Sequence, residues 1–374
     1  SQGTAFGLRA KADVKCSRAT GNTGTVYRLG GLIGRLDTQT IKDSSFSGTV
    51  TGDAVSSDTG GAVGLLYNSA HLDNVSVSGT VSGSICVGGL VGCAYTNQPS
   101  VIRSSSSAQV IANSYYVGGA IGRISGTTLD QLSTVSQVKA SGKVSGGTDH
   151  VGGLIGIADY VSIDDSSSTT AVENGHNVGG LIGVLRRSTL RNSFASGSVK
   201  AIGGSQIGGL VGNMTQEGSG STIENSFALG SVEGKWHLGG LVGYCRGIIR
   251  NSYAKGDITG QDVAGGLCGR NHDIDSGVSS LIEGSYATGR VSVAGEHGGG
   301  LIGHIYRRMS IRKSYASGRV DGLNNLGGFV GSIDQGPIVI EQSYTSGPVY
   351  GNARVGGFLG YAYRYDSSID LKNN

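Results

Sequence analysis

The sequence predicts an all-β fold: a single-domain β-solenoid (β-helix) of about twelve coils with a repeat of roughly 30 residues. Three observations carry that expectation. The pattern of Leu29-Gly30-Gly31-Leu32-Ile33-Gly34 returns with its first glycine at Gly60, Gly88, Gly118, Gly152, Gly179, Gly208, Gly239, Gly265, Gly299, Gly327 and Gly356, at gaps of 26 to 34 residues. Between the pairs run short β-branched and aromatic segments bounded by Gly, Asn and Asp, as strands joined by corners would be. Finally, no ten-residue window keeps the i, i+3, i+4, i+7 apolar spacing of a helix, and each glycine inside one would cost about 1 kcal/mol.

Composition narrows the class. With 69 glycines but no three-residue glycine period, and with 3 prolines, the chain is not collagen. Val, Ile and Leu recur throughout, so it is no disordered linker either. A net charge of +3, with both signs mixed along the length, offers no dense basic field for nucleic acid. No apolar run approaches the roughly 20 residues of a membrane span. The chain opens on Ser1 instead of Met, which predicts a processed or truncated product and favours export. Five cysteines, an odd number at irregular repeat positions, predict neither a disulfide framework nor a CxxC metal site, leaving packing and hydrogen bonds to hold the fold.

In order, residues 1–28 lack a glycine-pair copy, yet 4–14 mixes apolar and polar residues in a strand-like way and could open the solenoid as a cap or an assembly segment. The solenoid proper is expected over 29–362, followed by a tail at 363–374. Each repeat reads V-G-G-L-[IV]-G, a variable turn, then S-[FY]-[AS]-x-G-x-V. The glycine pairs (Gly30-Gly31, Gly88-Gly89, Gly152-Gly153, Gly239-Gly240, Gly327-Gly328 among them) are read as corners, needing either positive φ or a backbone with no Cβ in the way of the coil above. Turns such as 124–130, 213–221 and 271–279 absorb the differences in repeat length. The apolar pair after each glycine pair, Leu90-Val91 or Leu241-Val242 for instance, leaves two alternatives. Regular strand alternation would lay an apolar ribbon on the outside, needing a second layer to cover it; a bulge at Gly-Gly would turn both side chains inward.

This glycine frame resembles the GLUG repeat, named for its glycine-leucine-any-glycine core and found in secreted and surface bacterial proteins, including IgA-peptidase-like and adhesin-like chains. The resemblance covers about 29–362. It implies a solenoid and export, and no catalytic residues belong to the motif.

One position stands out for chemistry. In the last six copies of the second segment it is Phe194, Phe227, Tyr253, Tyr286, Tyr315 and Tyr344, whereas in the first five it is Ser45, Ser76, Ser105, Lys139 and Ser167. A lysine in a narrow solenoid core would be costly, so the position should face out, with the small neighbours inside. The rings would then form a stripe confined to the C-terminal half. Such a stripe could bind a sugar polymer, another subunit or a neighbouring chain, or simply stack on itself and stabilise the sheet.

His150, His237 and His297 share a register two residues before the glycine pair, but in coils too far apart to hold one metal ion, and the other occupants of that place suggest an exposed polar corner. His272-Asp273-Asp275 and Asp164-Asp165 are read as solvated charges rather than an acid/base pair. No metal, cofactor or catalytic residue is assigned. The expected function is a non-enzymatic extracellular or cell-surface structural protein, an adhesin rod or a subunit of a self-assembling filament, whose main partner is itself, head-to-tail or laterally. The alternatives are a carbohydrate-binding or carbohydrate-active solenoid, or the repeat stalk of a larger secreted protease or adhesin; a surface glycan or a host protein would be the other partners.

Overall fold

The computed structural model describes residues 3–16, 28–53, 56–215, 220–272, 280–363 and 368–372. The described residues form strands and turns with no helix, in a parallel-strand β-solenoid of about 11 turns with a repeat of about 29 residues. Packing divides the chain into two compact units, Ser1–Gly175 with Leu181–Val184, and His176–Gly180 with Leu185–Asn374.

In the first unit the strands Thr40–Thr51 and His71–Gly83 run parallel and in register from Thr40 opposite His71 to Thr51 opposite Ser82. Arg9–Lys15 lies on the other edge of Thr40–Thr51, so the segment near the N-terminus forms an opening coil. The strands that follow each glycine pair stack in sequence, Ile33 on Val63, Val63 on Val91, Val91 on Ile121 and Ile121 on Ile155.

The second unit repeats the plan. A coil of Val211–Thr215, Ser221–Glu224, Phe227–Ala228 and Val232–Gly239 is overlaid strand on strand by the next, with Val242 on Val211, Ile249 on Ile223 and Tyr253 on Phe227. Stacking like on like builds ladders in the interior: Ile223, Ile249, Ile282, Ile311 and Ile340 are consecutive rungs, each no more than 1% exposed. Each fully buried rung contributes about 1.5–3 kcal/mol from removal of its apolar surface from water.

The apolar pair resolves toward the interior. Leu90 and Val91, Leu241 and Val242, and Phe329 and Val330 are all fully buried. The first member of each pair sits in a bend and only the second begins a strand, so alternation does not apply and no apolar ribbon forms outside among the described residues.

The glycine pairs also behave more specifically than the sequence suggests. None of the described pair glycines adopts a positive φ. What they supply is space: a Cβ on Gly239 would sit 1.9 Å from the Val242 carbonyl oxygen, and one on Gly240 would sit 2.1 Å from that of Gly266 in the next coil. Positive φ falls instead on non-glycine corner residues, such as Asn192, Asn225 and Asn251, at 48–50°.

Contrary to the expectation from cysteine number, Cys86 and Cys93 form a disulfide in the first unit, with a Cα–Cα distance of 5.6 Å. Cys86 lies before the glycine pair and Cys93 after it, so the bond closes one corner.

Candidate interaction faces

The S-[FY]-A segment is fixed by its serine. In the second unit the hydroxyl of Ser226 donates to the carbonyl of Glu224 two residues back (2.8 Å) and accepts the backbone N–H of Ser193 in the preceding coil (3.2 Å). Ser252, Ser285 and Ser314 repeat both bonds. Each hydroxyl thus replaces a backbone partner where the strand breaks, keeping a buried corner satisfied. The alanine that follows the ring, Ala228 or Ala254, is buried, so alternation turns the ring outward.

The rings stack as one column. Successive centroids from Phe194 through Phe227, Tyr253, Tyr286 and Tyr315 to Tyr344 are 5.1, 4.9, 4.8, 4.8 and 5.3 Å apart, with planes within 8° of parallel. The first five rings are half-buried and Tyr344 is 55% exposed. Burial, followed by neighbouring phenols, pushes the Tyr286 and Tyr315 hydroxyls up, so both remain protonated donors at neutral pH. The Lys255 ammonium lies 5.1 Å from the Tyr253 centroid.

Beside the column runs a feature that sequence reading missed. Two residues before each serine the charge alternates from coil to coil: Arg191, Glu224, Arg250, Glu283, Arg312, Glu341, and then Lys372 opposite Glu341. Ion-pair distances along it include 2.9 Å for Arg191–Glu224, 3.5 Å for Arg250–Glu224 and 3.3 Å for Arg250–Glu283. The hydrogen bond from Arg191 holds the Glu224 carboxyl below the usual carboxylate range. Aligning the repeats on the serine would have exposed the alternation, since each copy alone shows one ordinary surface charge.

The histidine register is less open than expected. His237 accepts from Arg270 Nη1 at 3.2 Å, and burial, then the Arg270 charge, lowers its pKa to about 4. The His297 and His304 rings stack at 5.0 Å, with His304 Nε2 3.0 Å from Asp334 Oδ1. His150, in the first unit, lies 5.1 Å from the Tyr116 ring. Of the other singled-out groups, His272 stacks on Tyr306 at 4.4 Å, Asp165 takes a corner φ of 46°, and Asp273 and Asp275 lie outside the described residues. Among the described residues one group has metal-ligand spacing, Asp58 with Cys86 and Cys93, whose ligand atoms lie within 4.8 Å of one another. Its two sulfurs are bonded to each other, and burial raises the Asp58 carboxyl despite the nearby Arg28.

Comparison with known proteins adds a motif match and one relative. Residues 25–51, 83–111 and 234–259 match the model of the GLUG motif. Three stretches of the chain thus carry the GLUG motif. Over 208 residues, 51% of its length, the chain is 34% identical to Halomucin of Haloquadratum walsbyi. That stretch amounts to 2% of Halomucin, so the chain spans a small fraction of this relative. No solved structure matches it.

Proposed function

We propose that this chain is a non-enzymatic structural protein of the cell exterior, an adhesin rod or filament subunit, whose second unit associates laterally with other copies through its aromatic column. The observation that supports it is the column itself: six in-register rings, open to solvent on one side, and flanked by an alternating row of charge. A flat apolar surface with a polar border has the make-up of a protein interface. The charge row would set the relative register of two copies, since like charges brought face to face repel. An oxidising setting is supported by the Cys86–Cys93 disulfide.

Negative-stain electron microscopy across a concentration series, run beside light scattering, tests this. Lateral bundles or filaments in the wild type that disappear in Tyr253→Ser/Tyr286→Ser/Tyr315→Ser are the expected result. A wild type that stays monodisperse at every concentration, or assembly that survives the triple variant, would remove the stripe as an assembly surface.

A further inference from the structure

The first unit carries a groove where the second carries rings. Its volume is about 760 Å³ and its lining runs from Arg9 to Thr169. One row of in-register side chains comprises Arg9, Ser45, Ser76, Ser105, Lys139 and Ser167. A second row lies two residues on, from Lys11 through Ser47 and Ser78 to Thr169. Six parallel strands at about 4.8 Å spacing make a trough roughly 24 Å long.

The chemistry of the trough is uneven. Serines line its middle beside apolar residues that include Phe46 and Val77, cations stand toward both ends, and no carboxylate is among the lining residues. Elsewhere in the unit cations are commonly paired, as Arg28 is with Asp58 (3.3 Å) and Lys143 with Glu173 (2.8 Å). Arg9, Lys11 and Lys139 make no ion pair among the described residues. Carboxylates flank the groove without entering it: Asp43 shares a rim hollow with Arg9, Asp165 shares one with Lys139, and Asp13 lies two residues beyond Lys11 on the same strand.

We infer that this groove binds a linear acidic polysaccharide, one bearing uronate carboxylates or sulfate esters. Arg9 and Lys139 are four coils apart, roughly 19 Å, so a compact anion reaches one or the other and only an extended polyanion engages both. Rows of hydroxyls, each both donor and acceptor, match the hydroxyls and ring oxygens of a sugar chain. An acidic peptide is the poorer fit, because its backbone seeks a sheet edge and the groove is a sheet face. The inference is independent of the aromatic column, which lies in the other unit.

Binding of the full chain to polygalacturonate, dextran sulfate, neutral dextran and poly-glutamate, measured by calorimetry at 50 mM and 500 mM NaCl, tests it. At least one acidic polysaccharide is expected to bind, more weakly at the higher salt. Arg9→Ser/Lys11→Ser/Lys139→Ser should weaken that binding at least about tenfold, and Tyr253→Ser/Tyr286→Ser/Tyr315→Ser should leave it unchanged. Serine already fills this row in neighbouring coils, so the cation variant should keep its fold, checked by its melting curve. No binding of either acidic polysaccharide, equal binding of dextran, equal binding of poly-glutamate, or indifference to the cation variant would each overturn the assignment. Loss through the ring variant would transfer the site to the second unit and overturn it equally.

Discussion

The rings of Tyr286 and Tyr315 lie 4.8 Å apart and 4° from parallel, and Tyr286 makes an equal 4.8 Å contact on its other side with Tyr253. One substitution there removes two ring contacts. Tyr286→Ser is expected to destabilise the second unit by about 1–3 kcal/mol in urea unfolding, at about 0.5–1.5 kcal/mol per aromatic pair. A change below about 0.3 kcal/mol would mean that the rings owe their alignment to the backbone alone.

Arg250 sits between two carboxylates, Glu224 at 3.5 Å and Glu283 at 3.3 Å. Arg250→Glu would place three acids in successive coils. The expected cost is about 1 kcal/mol at low ionic strength, shrinking in 1 M NaCl, because these charges are partly solvated. The same cost at both salt concentrations would point to lost packing of the arginine stem.

His237 gives the second unit an acid-sensitive window. Its folded pKa, lowered to about 4, lies below the ordinary 6.5, so between those values the unfolded chain binds a proton that the folded chain does not. Stability should therefore be fully present above about pH 6.5, fall as the pH drops toward 4, and lose on the order of 3 kcal/mol from this group. Asn occupies the same register at Asn177 and Asn325, each with positive φ, so His237→Asn suits the φ of 55° and should flatten the slope. An unchanged slope in urea titrations across this range would assign the effect elsewhere.

Gly240→Ala tests the corner. The new Cβ would fall 2.1 Å from the Gly266 carbonyl oxygen and 2.9 Å from the Ala254 side chain. Backbone atoms of two coils would have to separate, so a loss of at least about 4 kcal/mol, or failure to fold, is expected. A melting temperature within a few degrees of wild type would show that adjacent coils have room to part.

Reduction should act on the first unit. Opening Cys86–Cys93, seven residues apart, removes a small loop closure worth about 2–3 kcal/mol, readable as a lower urea midpoint in dithiothreitol and in Cys86→Ser/Cys93→Ser. Equal midpoints would place the corner's stability in its packing.

The architecture was legible because the coil stack constrains one position hardest. A side chain at Gly240 collides with the coil above, so the glycines recur with the fold's own period. The outward turn of Phe194 and its successors could be argued from Lys139 in the same register, and the ring column follows that alternation. What could not be read depends on bends. Leu241 and Val242 straddle a corner, which breaks the alternation a sequence pattern assumes. Cys86 and Cys93 meet around another corner, where a spacing of seven residues gives no hint of contact. The burial of His237 arises from Arg270 and Tyr244 in strands beside it, 33 and 7 residues away in sequence.

The charge row from Arg191 to Lys372 has a consequence for how the second unit can change in length. Because the sign flips at every coil, removing one coil brings two like charges together at the seam, whereas removing two adjacent coils joins opposite signs as before. Duplication is subject to the same parity. A solenoid of this kind is expected to lengthen and shorten most readily by even numbers of coils.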